Sequence, residues 1–368
     1  MDVFKQAAAL AASGRHIVRM EAGEPGAPAP LRVRQAAIDA LGGQRIGYTQ
    51  TLGLPELREA IASHYGQTYG VSVDPSRVAV TTGSSNGFVL AFLALFDAGA
   101  RVAVAAPGYP AYQNIFDALG IETVSIETTA ADGYIVTPAA IAAAHEQNPL
   151  QGLLLMSPAN PTGTMIPDAV LKDTCALCER LGIVFISDEI YHGLTYERPA
   201  QTALAYSHNA VVVNSFSKYY CMTGWRIGWL VLPEAIVRPL ERLAQSLAIS
   251  APYLSQVAAL AAFDCREELE AIRESYARSR AMLLERLPQA GLPDFYPIDG
   301  AFYVYADVSR YTNDSLEFCQ RMLTEAGVAA TPGVDFDRRH GATRVRLSFA
   351  AAESEIAEGI ERLQSWLA

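Results

Sequence analysis

Cysteine is scarce in this chain, and long apolar runs are missing. Five cysteines among 368 residues form no disulfide framework. Cys175 and Cys178 lie three apart in a helical stretch, but no second pair completes a zinc site. No metal is expected, and free thiols point to the cytoplasm. The longest apolar run ends at Phe96 and is bounded by Gly87 and Asp97, far short of the ~20 residues of a membrane helix. Basic residues are the minority, 28 against 39 acidic ones for a net charge of −11. Neither nucleic acid nor an anionic membrane is therefore the expected partner. Residues 7–12 are too brief and too weakly apolar for a signal peptide and read as part of a short amphipathic helix. Internal repeats and low-complexity tracts are also lacking. No Gly-x-Gly-x-x-Gly opens a first helix, which weighs against a nicotinamide enzyme.

What is present is an ordinary globular balance, with 51% apolar and 18% charged residues and a length that suits two lobes. β-rich runs at 78–82, 101–105, 152–156, 183–187, 210–214 and 227–232 alternate with helical patterns such as 171–181, where Leu171, Cys175, Cys178 and Leu181 share a stripe. The alternation predicts an α/β domain with a mostly parallel sheet flanked by helices. Residues 253–287 read as one helical stretch. Beyond them, runs at 302–305 and 343–349 with helices at 315–326 and the C-terminus suggest a smaller α+β lobe. The N-terminal segment is expected to join it. The expected division is 31–275 for the large domain and 1–30 with 276–368 for a discontinuous small one.

Chemistry-bearing residues gather where strands end, the usual place for ligands in open α/β sheets. Asn214-Ser215-Phe216-Ser217-Lys218 follows an apolar run and precedes Met222-Thr223-Gly224-Trp225-Arg226-Ile227-Gly228. A lysine there can form a Schiff base, while Ser215, Ser217 and Arg226 can hold a phosphate. Pyridoxal 5′-phosphate needs both together. Asp188, after 183–186, reads either as a helix cap or as the partner of the cofactor's pyridine nitrogen. Tyr191 would share its face if a helix begins there, and reads as core or as a donor to the phenolic oxygen. Asn160, in Asn160-Pro161-Thr162-Gly163, reads as a turn residue or as a second such donor. Ser157-Pro158 and Asn160-Pro161 are candidate cis bonds. Gly83, Ser84 and Ser85 precede the helical run 88–96, where backbone N–H groups can bind phosphate or simply start a helix. Arg346 alternates with apolar neighbours along 344–349, as an arginine aimed into a cleft would, and its planar fork suits a carboxylate.

Ser-x-Ser-Lys followed after seven residues by Arg226 and then Gly228 resembles the cofactor-lysine signature of class I and II aminotransferases. The resemblance runs from Gly23 to Phe349 with motifs in the family's order. It implies the fold of type I pyridoxal-phosphate enzymes, with a seven-stranded sheet in the large domain. It further implies a Lys218 aldimine and two half-reactions that move an α-amino group from an L-amino acid to a 2-oxo acid. Tyr109 resembles the aromatic that stacks on the cofactor, Arg346 the α-carboxylate anchor, and Gly23 the glycine beside the substrate. Tyr48 resembles the tyrosine that reaches the neighbouring subunit's phosphate, which implies a homodimer with shared active sites. After Gly23-Glu24-Pro25 the family often has an acidic then a bulky residue, whereas Gly26-Ala27 stand here. Other reactions on the same fold stay open, such as C–S β-elimination, decarboxylation or racemisation, as does a cofactor-binding regulatory module. Residues 246–255 lack Arg and Lys, so a neutral or aromatic donor is expected, with 2-oxoglutarate or pyruvate as acceptor. Arg15, Arg19, Arg34 and Arg45 are unassigned.

Overall fold

The computed structural model describes residues 2–43, 45–296 and 298–368. Its strands are β1 (Val18–Arg19), β2 (Val78–Thr81), β3 (Arg101–Ala106), β4 (Glu122–Glu127), β5 (Gly152–Met156), β6 (Val184–Asp188), β7 (Val211–Ser215), β8 (Gly228–Val231), β9 (Tyr303–Asp307), β10 (Val328–Ala329), β11 (Thr331–Pro332) and β12 (Arg344–Ser348). Seven of them form one sheet in the order β2-β8-β7-β6-β5-β3-β4. β8 runs antiparallel to both its neighbours, and the remaining pairs are parallel.

Parallel strands are covered on both faces by their crossover helices, so they become apolar throughout. β7 follows this rule, with every residue from Val211 to Ser215 buried. One apolar cluster packs on each face of the sheet, built around Trp229 and Phe216 on one side and around Phe92 and Phe116 on the other. β4 departs from the pattern. It lies at the sheet edge, is polar and half-exposed, and so lacks the apolar run that exposes its neighbours in the sequence.

Local signals set the helix ends. Helix Pro55–Tyr69 starts on a proline and stops at left-handed Gly70, φ 68°, the expected asymmetry of helix termini. In helix Asp168–Leu181 the stripe of Leu171, Cys175 and Cys178 is buried, and Gly182 ends it at φ 68°. The stretch expected as one helix over 253–287 is two, Tyr253–Ala262 and Arg266–Arg286. The break at 263–265 carries neither glycine nor proline, so nothing in the sequence marks it.

A separate core joins Val3, Val18 and Met20 to Tyr276, Leu283, Phe302, Phe318 and Ile360. It supports the antiparallel sheet β11-β12-β9 and the short pair β1-β10. The two peptide bonds singled out above, Ser157–Pro158 and Asn160–Pro161, are cis, as is Ala106–Pro107. Among the described residues no helix is long and apolar enough to cross a membrane.

Candidate active site

The carboxyl ends of β5, β6 and β7 point to one crevice. Met156 and Val213 flank Asp188 in register, and Asn160 and Lys218 lie in the loops just beyond. Together with Gly23, Tyr303 on β9 and Arg346 on β12 they bound a cavity of about 370 Å³. Ser84, Ser85, Tyr109, Tyr191, Ser217 and Arg226 also line it. A larger cavity of about 460 Å³ is lined by His64, Tyr69, His192, Tyr219 and Phe263, but Lys218, Asp188 and Arg346 all line the smaller one.

One end of the smaller cavity is built for an anion. Helix Gly83–Leu95 begins without a side-chain cap from Thr82, so its first N–H groups are left to other partners. Gly83 has φ 76°, and a Cβ there would come within 2.3 Å of Arg226 Nη2. Glycine is therefore what lets the guanidinium lie against the helix start. Arg226 itself is left-handed at φ 50° and donates to Thr223 O at 2.8 Å. Ser217 faces the cavity, whereas Ser215 does not: its hydroxyl donates to Ile227 O at 3.0 Å and lies 2.9 Å from Ser217 Oγ. Ser215 thus orients Ser217.

At the centre, Lys218 Nζ donates to Gly23 O. Burial, helped by the Arg346 charge, lowers the lysine to about 8. Burial likewise raises Asp188 to about 7, against the opposing effect of hydrogen bonds from Tyr112 and the Ile190 N–H. Tyr112 Oη donates to Asp188 Oδ2, and the Ile190 N–H donates to Oδ1 at 3.1 Å. A carboxylate held at both oxygens keeps one orientation. Tyr191 reaches the cavity from a turn rather than from the helix expected after Asp188, because Glu189 folds back. Glu189 Oε1 accepts from Ser187, Thr202 and the Ala203 N–H, so this residue faces away from the cavity. The Tyr191 and Tyr303 hydroxyls are 2.7 Å apart. Tyr109 makes an edge contact with Tyr112.

Arg346 is 6% exposed and held on several sides. Its Nη1 donates to Asn160 Oδ1 at 2.9 Å, and its Nη2 to Glu21 O at 2.7 Å and Thr331 Oγ1 at 3.2 Å. The guanidinium lies 4.4 Å from the Tyr303 ring centre and 4.9 Å from that of Phe336. Its Nε is buried without a partner, an arrangement that suits an incoming carboxylate. Arg344, two residues earlier on the same strand, pairs with Asp307 at the strand's end. Of the unassigned arginines, Arg15 donates to Thr324 O and Arg19 pairs with Glu21; Arg34 and Arg45 are exposed. Tyr48 lies outside the cavity, 82% exposed. Sequence reasoning missed Tyr112, Tyr303, Thr331 and Phe336. The spacing of Tyr112, three residues after Tyr109 at the start of a helix, was the one available hint.

Comparison with known proteins gives concordant results. The family model for class I and II aminotransferases matches residues 15–363. The valine–pyruvate aminotransferase of Mycobacterium tuberculosis is 48% identical, over 100% of this chain and 95% of that protein. The aspartate/prephenate aminotransferase of Thermus thermophilus is 34% identical, over 98% and 93%. Among solved structures, an aminotransferase from Mycobacterium tuberculosis superposes with a TM-score of 0.97 at 48% identity, covering 100% of this chain and 95% of that one. The Thermus thermophilus aspartate aminotransferase with maleate gives 0.93 at 33% identity, covering 99% and 95%.

Proposed function

This chain belongs to the class I and II aminotransferases, and we propose that it uses pyridoxal 5′-phosphate on Lys218 to move the amino group of a small neutral L-amino acid, such as valine, to pyruvate. The observation that carries the substrate class is a shortage of cations. The cavity lining contains Lys218, Arg226 and Arg346 as its basic side chains. One would bind the cofactor carbonyl, one its phosphate and one the α-carboxylate, which leaves none for a distal carboxylate. Phe88, Met156 and Ile190 line the same space. The valine–pyruvate activity in the name of the 48% identical relative agrees with a neutral donor.

The residues fit the cofactor. The Gly83–Arg226 cradle, Ser217 and the uncapped helix start suit its phosphate. Asp188 suits the ring nitrogen, Tyr109 the ring face, and Asn160 with Tyr191 the phenolic oxygen. Bound there, the cofactor supplies a carbonyl for an amine and a ring that accepts the electron pair left at the substrate Cα.

The protein's own part is positional and acid–base. Arg346 grips the α-carboxylate and so sets the Cα–H direction. Lys218, with a pKa near 8, is partly neutral near neutral pH and can take the Cα proton as a general base. Asp188, kept in one orientation by Tyr112 and Ile190, holds a proton on the ring nitrogen. Gly23 leaves room for substrate beside Arg346, since a Cβ there would meet Tyr303 Oη at 2.8 Å.

A homodimer fits the exposed apolar side chains Leu31, Ile38, Leu41, Ile46, Tyr48, Leu247 and Ile249. Tyr48 would cross to the partner's phosphate site. The proposed division at 31–275 fits the separate cores, with helix Arg266–Arg286 crossing it. The five cysteines are free and buried, in keeping with the proposed cytoplasmic location. Steady-state assay tests the substrate class: kcat/KM for valine with pyruvate should exceed that for aspartate with 2-oxoglutarate by at least tenfold. The reverse order would mean that a dicarboxylate is the substrate.

A further inference from the structure

Tyr191 and Tyr303 form a buried pair whose hydroxyls are 2.7 Å apart, with side chains 2% and 0% exposed. Each phenol carries a single proton. If Tyr191 gives its proton to the cofactor's phenolic oxygen, its hydroxyl can only accept from Tyr303. The proton order is then fixed, from Tyr303 to Tyr191 to the cofactor. Tyr303 also carries the Arg346 guanidinium 4.4 Å from its ring centre, and Lys218 Nζ lies 5.8 Å from the Tyr191 ring centre. This two-ring bridge thus spans the distance from the carboxylate anchor to the lysine.

We infer that Tyr303 is a positioning residue that acts through Tyr191. By donating to Tyr191, it orients and polarises the hydroxyl that meets the phenolic oxygen, while its ring supports Arg346. This deepens the proposed function and rests on it. Donation in series strengthens each bond of the chain by roughly 10–30%. With the cofactor bound, a stronger bond to its phenolic oxygen would draw electron density from it and so lower the pH at which the bound cofactor's visible absorption changes. The 2.7 Å bond between the two buried hydroxyls favours a relay over simple packing, which would need no hydroxyl on Tyr303.

The test is a double-mutant cycle on the holoenzyme, with the pH midpoint of the bound cofactor's visible absorption as the readout. Tyr191→Phe should raise the midpoint. Tyr303→Phe should raise it by roughly a tenth to a third as much, and should add nothing when Tyr191 is already Phe. Equal shifts by Tyr303→Phe in both backgrounds, or no shift in the wild-type background, would overturn the inference. Binding of 3-methylbutanoate, an unreactive branched carboxylate, should change less than about twofold in Tyr303→Phe because the ring under Arg346 remains. A larger loss would show that the hydroxyl serves the anchor and not the relay. Absence of a cofactor band from the wild-type protein would instead remove the proposed function itself.

Discussion

Arg346 Nη1 donates to Asn160 Oδ1 at 2.9 Å, which ties the proposed carboxylate anchor on β12 to the loop after β5. Asn160 lines the cavity beside it. One hydrogen bond therefore holds together two residues that line the cavity, the proposed substrate ligand and a proposed cofactor ligand.

Replacing Arg346 with alanine should raise the KM for the amino acid about 100-fold, the loss expected from removing a charge-assisted pair. The cofactor should stay bound, as its absorption would report. Loss of the absorption band would mean that Arg346 serves the phosphate.

Gly83→Ala tests the anion cradle. The new methyl would lie within 2.3 Å of Arg226 Nη2, so the guanidinium has to move away from the helix start. Cofactor affinity, followed by equilibrium titration of the apoprotein, should fall at least about tenfold, or some 1.4 kcal/mol. Unchanged affinity would place the phosphate elsewhere.

The chain laid out much of this site in advance because strand ends are easy to read. Apolar runs over 152–156, 183–187 and 210–214 located Asn160, Asp188 and Lys218, and the family resemblance centred on Val345-Arg346-Leu347-Ser348 singled out Arg346 over Arg344. Tyr112 and Tyr303 were not legible in the same way. Each sits in an ordinary helix or strand, and only the fold brings its hydroxyl to Asp188 or Tyr191. Edge strand β4 was missed because half-exposed polar residues carry no apolar period, and no helix begins at Asp188, the condition that would have put Tyr191 on its face. In that turn the buried Glu189, accepting three hydrogen bonds, outweighs local propensity.

Glu189 should leave a pH signature on the stability of the apoprotein. Burial raises it from 4.5 to about 8, so between those values the folded state keeps a proton that the unfolded state has lost. Its contribution is full below about 4.5 and is lost as pH rises through 8. His192, lowered to about 3 by burial, acts in the opposite sense, losing stability as pH falls from 6.5. The melting temperature of Glu189→Gln relative to wild type should therefore climb from pH 5 to 8 and level off above. A flat difference would show that Glu189 is ionised in the fold.

The most direct measurement is the visible spectrum of the purified holoenzyme as L-valine is added without any oxo acid, alongside Lys218→Ala. The wild-type band should bleach to the shorter-wavelength absorption of an aminated cofactor and return on adding pyruvate. The variant should lack both the initial band and turnover. A wild-type band that stays unchanged with every neutral amino acid, or a Lys218→Ala protein with normal turnover, would contradict the account.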